Sequence, residues 1–200
     1  MYYGIVTSTT LQQRKRRLLQ TELTEIALRL FREKGYDATT VDDLAAASGV
    51  SRRTFFRYFS SKEDVVATKW TAMGEGFLAA LADRPATEKP WTSLRRACDG
   101  IVEHYADAGR RADSYALDEV VDATPALRAA FAAKVDLLAD TASEILVSRG
   151  LQPLAARTLA GACAAALVAA MRRSRADGAE GIGADLDKAM SAIRAAPSNE

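Results

Sequence analysis

Residues 39–59 read TTVDDLAAASGVSRRTFFRYF and decide the fold of this 200-residue chain. The pattern predicts a short helix, a tight turn at Gly49 and a second short helix that begins with arginines. Ser51 suits the N-cap of the second helix, because its hydroxyl oxygen can accept a hydrogen bond from a free backbone N–H of the first turn. An isolated helix of two turns is marginal in water, so contacts with the rest of the protein must hold it in place.

The second helix carries two kinds of side chain on different faces. Phe55 and Phe59 are four residues apart, so they lie on one face and predict where the helix packs. Arg52, Arg53 and Arg57 are then left on the exposed face. A short basic helix that follows a glycine turn has the geometry with which proteins enter the major groove of DNA. The sequence therefore predicts a helix-turn-helix motif that binds double-stranded DNA.

The distribution of charge agrees with a nucleic-acid partner for the N-terminal part. The whole chain has a net charge of +1, but residues 1–70 carry 12 basic and 8 acidic side chains, whereas the remainder carries 15 and 18. The average therefore hides a basic segment around the motif. Apolar residues make up 48% of the chain, which is enough for a folded core.

Helical spacing of apolar residues continues through nearly the whole chain, with no strand-like alternation and no internal repeat. We expect an all-α protein with an N-terminal three-helix helix-turn-helix domain over residues 18–62. A helical ligand-binding and dimerisation body is expected over residues 63–200. Gly35 is expected to end the first helix, and the apolar stripe of residues 91–105 predicts one continuous helix. Later helices are expected at residues 115–122, 125–149, 153–176 and 185–195.

Residues 1–17 are expected to form a flexible basic N-terminal arm, because RKRR at residues 14–17 precedes the first expected helix. Such an arm can follow the phosphates or enter the minor groove. The alternative is a solubilising tail that makes no contact with DNA. The sequence leaves this choice open.

At these residues the chain resembles the TetR family of bacterial one-component regulators. The resemblance runs without a gap from Leu19 to about Trp70 and includes LFREKGYDATTV and DDLAAASGVSRRTFFRYFSSKEDV. The segments from WTSLRRACDGIVEHY to DATPALRAAF resemble, more loosely, the ligand-binding domains of actinobacterial TetR-type regulators associated with mycofactocin genes. The resemblance implies a homodimeric transcriptional regulator, in the first place a repressor that leaves its operator when a small molecule binds.

The resemblance also implies which side chains meet DNA. Phe56 stands where the family often carries tyrosine, so it can offer only an apolar contact, such as one to a thymine methyl group. In this assignment Thr40 and Lys62 bind phosphates on either side of the second helix, Ser51, Arg52, Arg53 and Thr54 face the groove, Arg57 and Tyr58 lie at its edge, and Phe56 makes the apolar contact.

The three arginines have alternative roles. Arg52 and Arg53 can each donate two hydrogen bonds to guanine, a contact worth ~1–3 kcal/mol of base discrimination. We expect at least one of them to contact a base, with Arg52 preferred, and the alternative is a phosphate contact or a solvated surface charge. Arg57 can bind a phosphate or form an internal ion pair with Asp42 or Asp43, and the sequence does not decide between these roles.

Large aromatic residues, flexible methionines and many alanines in the body suit an apolar cavity with a few polar atoms. Plain core packing is the alternative for each of them. The only histidine can bind a polar group of a ligand, although a structural role is the simpler interpretation. The candidate lining residues are Trp70, Met73, Phe77, Trp91, Cys98, His104, Tyr105, Tyr115, Phe131 and Met171.

The cysteines and the histidine do not suggest a metal centre. Cys98 and Cys163 lie in apolar helical stretches and match neither a disulfide framework nor a zinc spacing, so they are expected to be buried free thiols. No second histidine or cysteine lies at ligand spacing from His104. We therefore expect no metal site and no cofactor.

Residues 154–171, LAARTLAGACAAALVAAM, are dominated by small side chains that allow two helices to approach closely. By the resemblance, this helix and a last helix with Leu186, Met190 and Ile193 would form a four-helix dimer interface. A helix buried within one chain is the alternative. A homodimer is favoured because two-fold symmetry doubles the contacts with a long operator.

The remaining expectations concern location and rival functions. No apolar run reaches the ~18 residues that a membrane span needs, so we expect no membrane partner and a cytoplasmic protein. The effector is expected to be an unidentified apolar small molecule. No nucleophile–base pair or phosphate-binding loop supports catalysis, so no catalytic residue is assigned. The alternatives are a helical small-molecule-binding module and an enzyme, neither of which would read DNA.

Overall fold

The computed structural model describes residues 11–177 and 181–195, without the side chains of residues 12–15, 17 and 177. All regular secondary structure in these ranges is helical, which confirms the predicted all-α fold. The chain divides into two compact units, Met1–Lys69 and Trp70–Glu200, called unit one and unit two below. The boundary between the units falls inside a helix that begins at Lys62, whereas the body was expected to start at residue 63.

Unit one contains α1 (Leu11–Lys34), α2 (Val41–Ala47), α3 (Arg52–Phe56) and the first turns of α4 (Lys62–Ala82). Gly35 ends α1 as predicted, with a φ of +88° that favours glycine. Gly49, with a φ of +65°, forms the turn between α2 and α3. The predicted helix-turn-helix order of elements is therefore present.

The basic run at residues 14–17 is helical, because α1 already begins at Leu11. The prediction of a flexible arm is therefore wrong for residues 11–17, which are helical. The physical reason is that residues 11–20, LQQRKRRLLQ, consist only of good helix formers and contain no glycine or proline that would interrupt the helix. The rest of the predicted arm, residues 1–10, lies outside the described residues.

Within the described residues, unit two is built from the later turns of α4 and from six further helices. The predicted helix over residues 91–105 is divided at Cys98, which ends one helix and precedes the next. The helix expected from residue 115 begins earlier, since the side chain of Asp107 caps it by accepting from the backbone N–H of Arg110 at 2.8 Å. The helices are α5 (Pro90–Ala97), α6 (Asp99–Ala106), α7 (Ala108–Ala123), α8 (Pro125–Ser148), α9 (Pro153–Asp177) and α10 (Gly181–Ala195).

The core of unit two is arranged around α9, which packs against α8 and α10. One face of α9 is buried inside the unit through small side chains, Ala156, Ala160, Cys163, Ala166 and Ala170. Small residues on this face let the neighbouring helices approach closely. For this face of α9, the structure therefore supports the alternative to a dimer interface, namely a helix face that is buried within one chain.

The last helix is also tied into its own unit. Leu186 and Met190 are buried in the core of unit two, so they are not free to meet a partner subunit as the dimer prediction required. Ile193, by contrast, is exposed. The resemblance placed all three residues on a dimer interface, but two of them pack inwards in the structure.

By length and composition alone, α9 can cross a membrane, because an 18-residue window in Pro153–Ala176 has a mean hydropathy of 1.7. The expectation that no apolar run reaches ~18 residues is therefore wrong. The many alanines give α9 a high mean hydropathy although the helix contains Arg157 near one end. A core helix of a globular protein passes the same test, and 33% of this window is buried inside the protein.

Candidate functional site

Helix α3, the second helix of the helix-turn-helix motif, is called the recognition helix below. It is short, and contacts with the rest of unit one fix both its start and its inner face. At its start, the Ser51 hydroxyl accepts a hydrogen bond from the backbone N–H of Thr54 at 3.1 Å, which confirms the predicted N-cap. Phe55 and Phe59 are each only 1% exposed, and their ring centres lie 5.3 Å apart. The two predicted anchor rings therefore hold the helix against unit one, and its orientation is set by burial.

The other face of α3 is open to solvent. Arg53 is exposed and has no hydrogen bond or ion pair within the part of the chain that the structure describes. Phe56 is 44% exposed, which is unusual for a ring of that size. The residues that share this side of the motif are Ser51, Arg52, Arg53, Phe56 and Arg57, which are exposed, and Thr54 and Tyr58, which are half-buried.

Arg52 forms an ion pair with α2. Its Nη1 donates to both carboxylate oxygens of Asp42, at 2.8 and 3.0 Å, and its guanidinium lies 5.5 Å from the centre of the Phe56 ring. Both charged side chains of the pair are more than half exposed. An exposed pair of this kind is worth no more than ~1 kcal/mol, so a phosphate or a base can replace Asp42 as the partner.

Arg57 does not form the internal ion pair that the sequence left open. Its guanidinium lies 5.2 Å from the centre of the Tyr58 ring, and Nη2 donates to the Tyr58 hydroxyl at 3.3 Å. Asp42 is bound by Arg52, and Asp43 is bound by Lys34 at 2.7 Å. Of the two roles left open for Arg57, the structure therefore does not contain the ion pair with an aspartate, because both carboxylates already bind other cations.

The first helix supports the end of α3. Arg16 donates to the carbonyl oxygen of Arg57 at 3.5 Å, and the side-chain amide of Gln20 donates to the carbonyl oxygen of Tyr58 at 3.2 Å. These carbonyls follow the last turn of α3, where the helix itself supplies no donor. The N-terminal turns of α1 thus lie beside the recognition helix, and one of the basic residues expected in a flexible arm, Arg16, supports it instead.

Thr40 begins α2 with a reciprocal cap. Its hydroxyl accepts from the backbone N–H of Asp43 at 3.1 Å and donates to the Asp43 carboxylate at 2.7 Å, and its own backbone N–H donates to the same carboxylate at 2.8 Å. These hydrogen bonds and the ion pair with Lys34 lower the pKa of Asp43. Both donors of the predicted phosphate-binding residue are therefore in use, and one must be released before it can bind phosphate.

Lys62 links the start of α4 to the loop before α2. Its Nζ donates to the carbonyl oxygens of Tyr36 and Thr39, at 2.9 and 3.4 Å, and lies 4.1 Å from the centre of the Tyr36 ring. Thr40 and Lys62, the two predicted phosphate-binding residues, therefore both lie at the loop before α2. Lys62 also has a structural role that the sequence did not reveal.

The hydroxyl of Tyr36 completes this junction by donating to Oε1 of Glu63 at 2.8 Å. Burial of Glu63 opposes ionisation, but this hydrogen bond, together with others and the Lys62 charge, keeps the pKa of the carboxyl below its usual value. Burial raises the pKa of the Tyr36 hydroxyl, and its contact with Glu63 adds to the rise. Sequence analysis missed Tyr36 and the pairing of Asp42 with Arg52, since the partners are distant in sequence and no local spacing indicates them.

Unit two contains an apolar cavity with a volume of about 210 Å³. Its walls come from α4, α6, α8 and α9. Leu138, Leu167 and Cys163 are lining residues that sequence analysis did not predict. Five of the ten candidate lining residues do line the cavity, namely Trp70, Met73, Phe77, Phe131 and Met171.

The other five candidates lie outside this cavity. His104 has its Nε2 3.0 Å from the Ser114 hydroxyl, which supports the structural interpretation of the histidine. The Tyr115 hydroxyl lies 2.7 Å from that of Ser174, so it joins α7 to α9. The remaining three are packing residues, since Trp91 packs against the core and Cys98 and Tyr105 are buried in it.

A few polar atoms interrupt the apolar walls. Lys134 on α8 donates to the Thr71 hydroxyl on α4 at 3.2 Å, and Glu75 and Thr141 also belong to the lining. No group of three or more histidine, cysteine or acidic side chains within the described ranges is arranged to hold a metal ion. The cavity can therefore bind a mainly apolar molecule with one or two polar groups.

Comparison with known proteins agrees with this geometry. Residues 23–68 match the family model described as bacterial regulatory proteins, tetR family. The regulator TcmR of Streptomyces glaucescens is 36% identical over 143 residues, which are 70% of this chain and 63% of TcmR. Residues 23–68 are thus similar to the DNA-binding part of the TetR family. This chain therefore spans less than two thirds of the length of TcmR, and it spans about a quarter of the length of MftR, described next.

Two further TetR-type proteins are similar to this chain. MftR of Mycobacterium tuberculosis, whose name assigns it provisionally to the regulation of mycofactocin biosynthesis, is 38% identical over 52 residues, 26% of each protein. The crystal structure of Thermus thermophilus FadR, a TetR-family repressor in complex with lauroyl-CoA, has a TM-score of 0.54 at 24% identity and covers 88% of this chain and 93% of FadR. The structural match shows a shared fold.

Proposed function

We propose that this protein is a homodimeric, DNA-binding transcriptional repressor that leaves its operator when an apolar small molecule binds in unit two. The observation that carries the proposal is α3, a basic helix capped by Ser51 and anchored by Phe55 and Phe59. A rigid helix of this kind can enter the major groove without first ordering itself. The match of residues 23–68 to the TetR family model and the similarity to TcmR support the same function.

In this proposal the exposed side of α3 divides into base-reading and phosphate-binding residues. Arg52 exchanges the Asp42 carboxylate for a guanine edge, a contact worth ~1–3 kcal/mol of discrimination. Phe56 offers an apolar contact beside it. The remaining contacts are made by Ser51, Arg53 and Thr54 in the groove, by Arg57 and Tyr58 at its edge, and by Thr40 and Lys62 on the phosphates.

The cavity of unit two is the proposed effector site. Its apolar walls and single lysine support a ligand that is mainly apolar, and the FadR structure is a complex with lauroyl-CoA. A ligand can release the operator only if it binds the DNA-free state more tightly than the DNA-bound state. A difference of a few kcal/mol is enough to change DNA occupancy by orders of magnitude.

Dimerisation is proposed through the outer faces of α8 and α9. The outer face of α9 carries Thr158, Ala165 and Ala169, and α8 carries the exposed Val147. Small side chains on this second face allow a partner helix to approach closely, although the opposite face of α9 is used inside the chain. Two symmetric copies can then place their α3 helices in successive major grooves, about 34–36 Å apart.

Binding to generic DNA at several salt concentrations tests the proposal. A DNA-binding protein that neutralises several phosphates shows a steep fall of log affinity with log salt concentration. We expect such a slope for the wild type and a shallower one for Arg53→Ala/Arg57→Ala, with unchanged folding. A slope near zero for the wild type would favour one of the alternative functions, a small-molecule-binding module or an enzyme. It would also remove the argument that the protein lies in the cytoplasm, since that argument rests on operator binding.

A further inference from the structure

Two buried thiols lie next to each other in unit two. The Sγ atoms of Cys98 and Cys163 are 3.9 Å apart, and the side chains are 0% and 2% exposed. Cys98 lies at the junction of α5 and α6, and Cys163 lies on α9. A disulfide needs an S–S distance of about 2.05 Å, so an approach of about 2 Å would join them.

The two thiols differ in their access to the cavity. Cys163 belongs to the cavity lining, whereas Cys98 does not and donates to the carbonyl oxygen of Leu94 at 3.4 Å. A molecule inside the cavity can therefore contact Cys163, whereas it does not contact Cys98. The hydrogen bond with Cys98 outweighs burial and lowers the pKa of Cys163, while the same contact and burial raise the pKa of Cys98. The thiol that lines the cavity is thus the one that an entering molecule meets first, and its thiolate form is the nucleophile.

We propose that Cys163 and Cys98 form an oxidisable pair that reacts with apolar organic hydroperoxides entering through the cavity. The Cys163 thiolate attacks the terminal oxygen of the hydroperoxide, the O–O bond breaks, and the leaving alkoxide takes a proton to become an alcohol. Cys163 is then a sulfenic acid. The sulfur of Cys98 attacks the Cys163 sulfur, a disulfide forms, and water leaves. Two thiols and one hydroperoxide thus give one disulfide, one alcohol and one water.

The cavity selects the class of oxidant. Its walls include Trp70, Phe77 and Phe131, and polar atoms are few. Hydrogen peroxide must give up its hydrogen bonds with water to enter such a site, whereas an aryl or alkyl hydroperoxide gains apolar contacts. The resulting disulfide would connect α9 to the junction of α5 and α6 and so alter one wall of the cavity. This reaction is independent of DNA binding.

The test treats the reduced full-length protein with equimolar cumene hydroperoxide or hydrogen peroxide, followed by intact mass measurement and peptide mapping without reduction. For the wild type we expect a loss of about two mass units and a peptide that joins Cys98 to Cys163. The reaction with cumene hydroperoxide should be about tenfold faster or more. An apolar molecule that fills the cavity, such as 1-aminoanthracene, should slow it.

Single variants separate the two roles. In Cys98→Ala the remaining thiol should gain about one oxygen, which dimedone captures, and in Cys163→Ala the Cys98 thiol should stay reduced. Faster oxidation by hydrogen peroxide, an intermolecular disulfide, or Cys98 reacting equally fast without Cys163 would each overturn the proposal. The wild-type peptide map and the comparison of oxidants decide the question even where a variant folds poorly. A failure here leaves the salt dependence of DNA binding untouched, so the two proposals fail separately.

Discussion

Nη1 of Arg52 lies 2.8 and 3.0 Å from the two carboxylate oxygens of Asp42, so α2 holds the first arginine of the recognition helix. The pair is exposed and therefore weak, but it fixes the direction of a side chain that is otherwise free to move. In the proposed complex, Asp42 would compete with DNA for the guanidinium. Operator binding by this protein would thus be an exchange of partners at Arg52.

Replacing Asp42 by asparagine should strengthen DNA binding, because Arg52 no longer has to leave a carboxylate. We expect generic DNA to be bound about two- to fivefold more tightly, which corresponds to the loss of an exposed ion pair worth up to ~1 kcal/mol. Glu33→Gln is the matched control, since it removes one exposed negative charge from α1 of the same unit. Fluorescence anisotropy at constant salt measures both variants, and an equal gain in the two would show that only net charge matters.

Lys62→Ala should weaken binding to all DNA sequences alike and also reduce stability. The substitution removes the Nζ donor from the carbonyls of Tyr36 and Thr39, which we expect to cost about 1–2 kcal/mol of unfolding free energy. Arg53→Ala should flatten the salt dependence as well, but its stability should change by less than ~0.5 kcal/mol, because Arg53 is exposed. Urea unfolding and salt titration of both variants separate the two roles of Lys62. Unchanged stability in Lys62→Ala would contradict the structural role.

Tyr36→Phe should destabilise the protein in a pH-dependent way. The hydrogen bond from Tyr36 favours the ionised form of Glu63 and holds its pKa below the unfolded value. A group with a lowered folded-state pKa stabilises the protein above its unfolded pKa, and this stabilisation is lost as the pH falls through the folded-state pKa. The loss should therefore be about 1 kcal/mol at neutral pH and should shrink below pH ~4.

Urea unfolding of the wild type and Tyr36→Phe across this pH range measures the effect. Glu63→Gln is the control, since a neutral amide cannot titrate. In the Glu63→Gln background, the cost of Tyr36→Phe should no longer depend on pH below neutrality. A difference that persists unchanged at low pH would show that packing, rather than the hydrogen bond to a carboxylate, makes Tyr36 important.

Two glycines in α4 offer a matched pair that tests the cavity. A Cβ at Gly76 meets no atom within 4 Å, whereas a Cβ at Gly74 lies 3.2 Å from Cδ1 of Leu138, a cavity-lining residue. Gly76→Ala should stabilise the helix by up to about 1 kcal/mol, and Gly74→Ala should gain less, because Leu138 must move. We expect Gly74→Ala alone to weaken the binding of 1-aminoanthracene, measured by fluorescence. Equal binding by the two variants would place the ligand elsewhere.

The sequence predicted features that depend on neighbours within one or two turns. The cap at Ser51 and the anchor rings Phe55 and Phe59 follow from spacings of three or four residues, and the structure contains all of them. Charge partners could not be predicted in the same way. Arg52 meets Asp42 ten residues away, and Lys62 meets the carbonyl of a residue 26 positions earlier. Such contacts depend on how the helices pack.

The cavity shows the same limit. Aromatic and methionine residues on α4 and α8 were correctly expected to line it, but Tyr115 faces Ser174 and His104 faces Ser114. Composition indicates that a cavity is present, whereas the rotation of each helix decides which side chains reach it. The helix that the apolar stripe predicted is divided at Cys98, and Cys98 lies 3.9 Å from Cys163, which is 65 residues away.

The central claim is that α3 reads DNA sequence through Arg52, and selection of bound sites from random duplex DNA tests it most directly. For the wild type we expect enrichment of an inverted repeat, as a two-fold dimer requires. For Arg52→Ala we expect the same repeat with relaxed base preference at one position of each half-site, worth ~1–3 kcal/mol per contact. No enriched site for the wild type, or an identical preference at every position in the variant, would contradict the account.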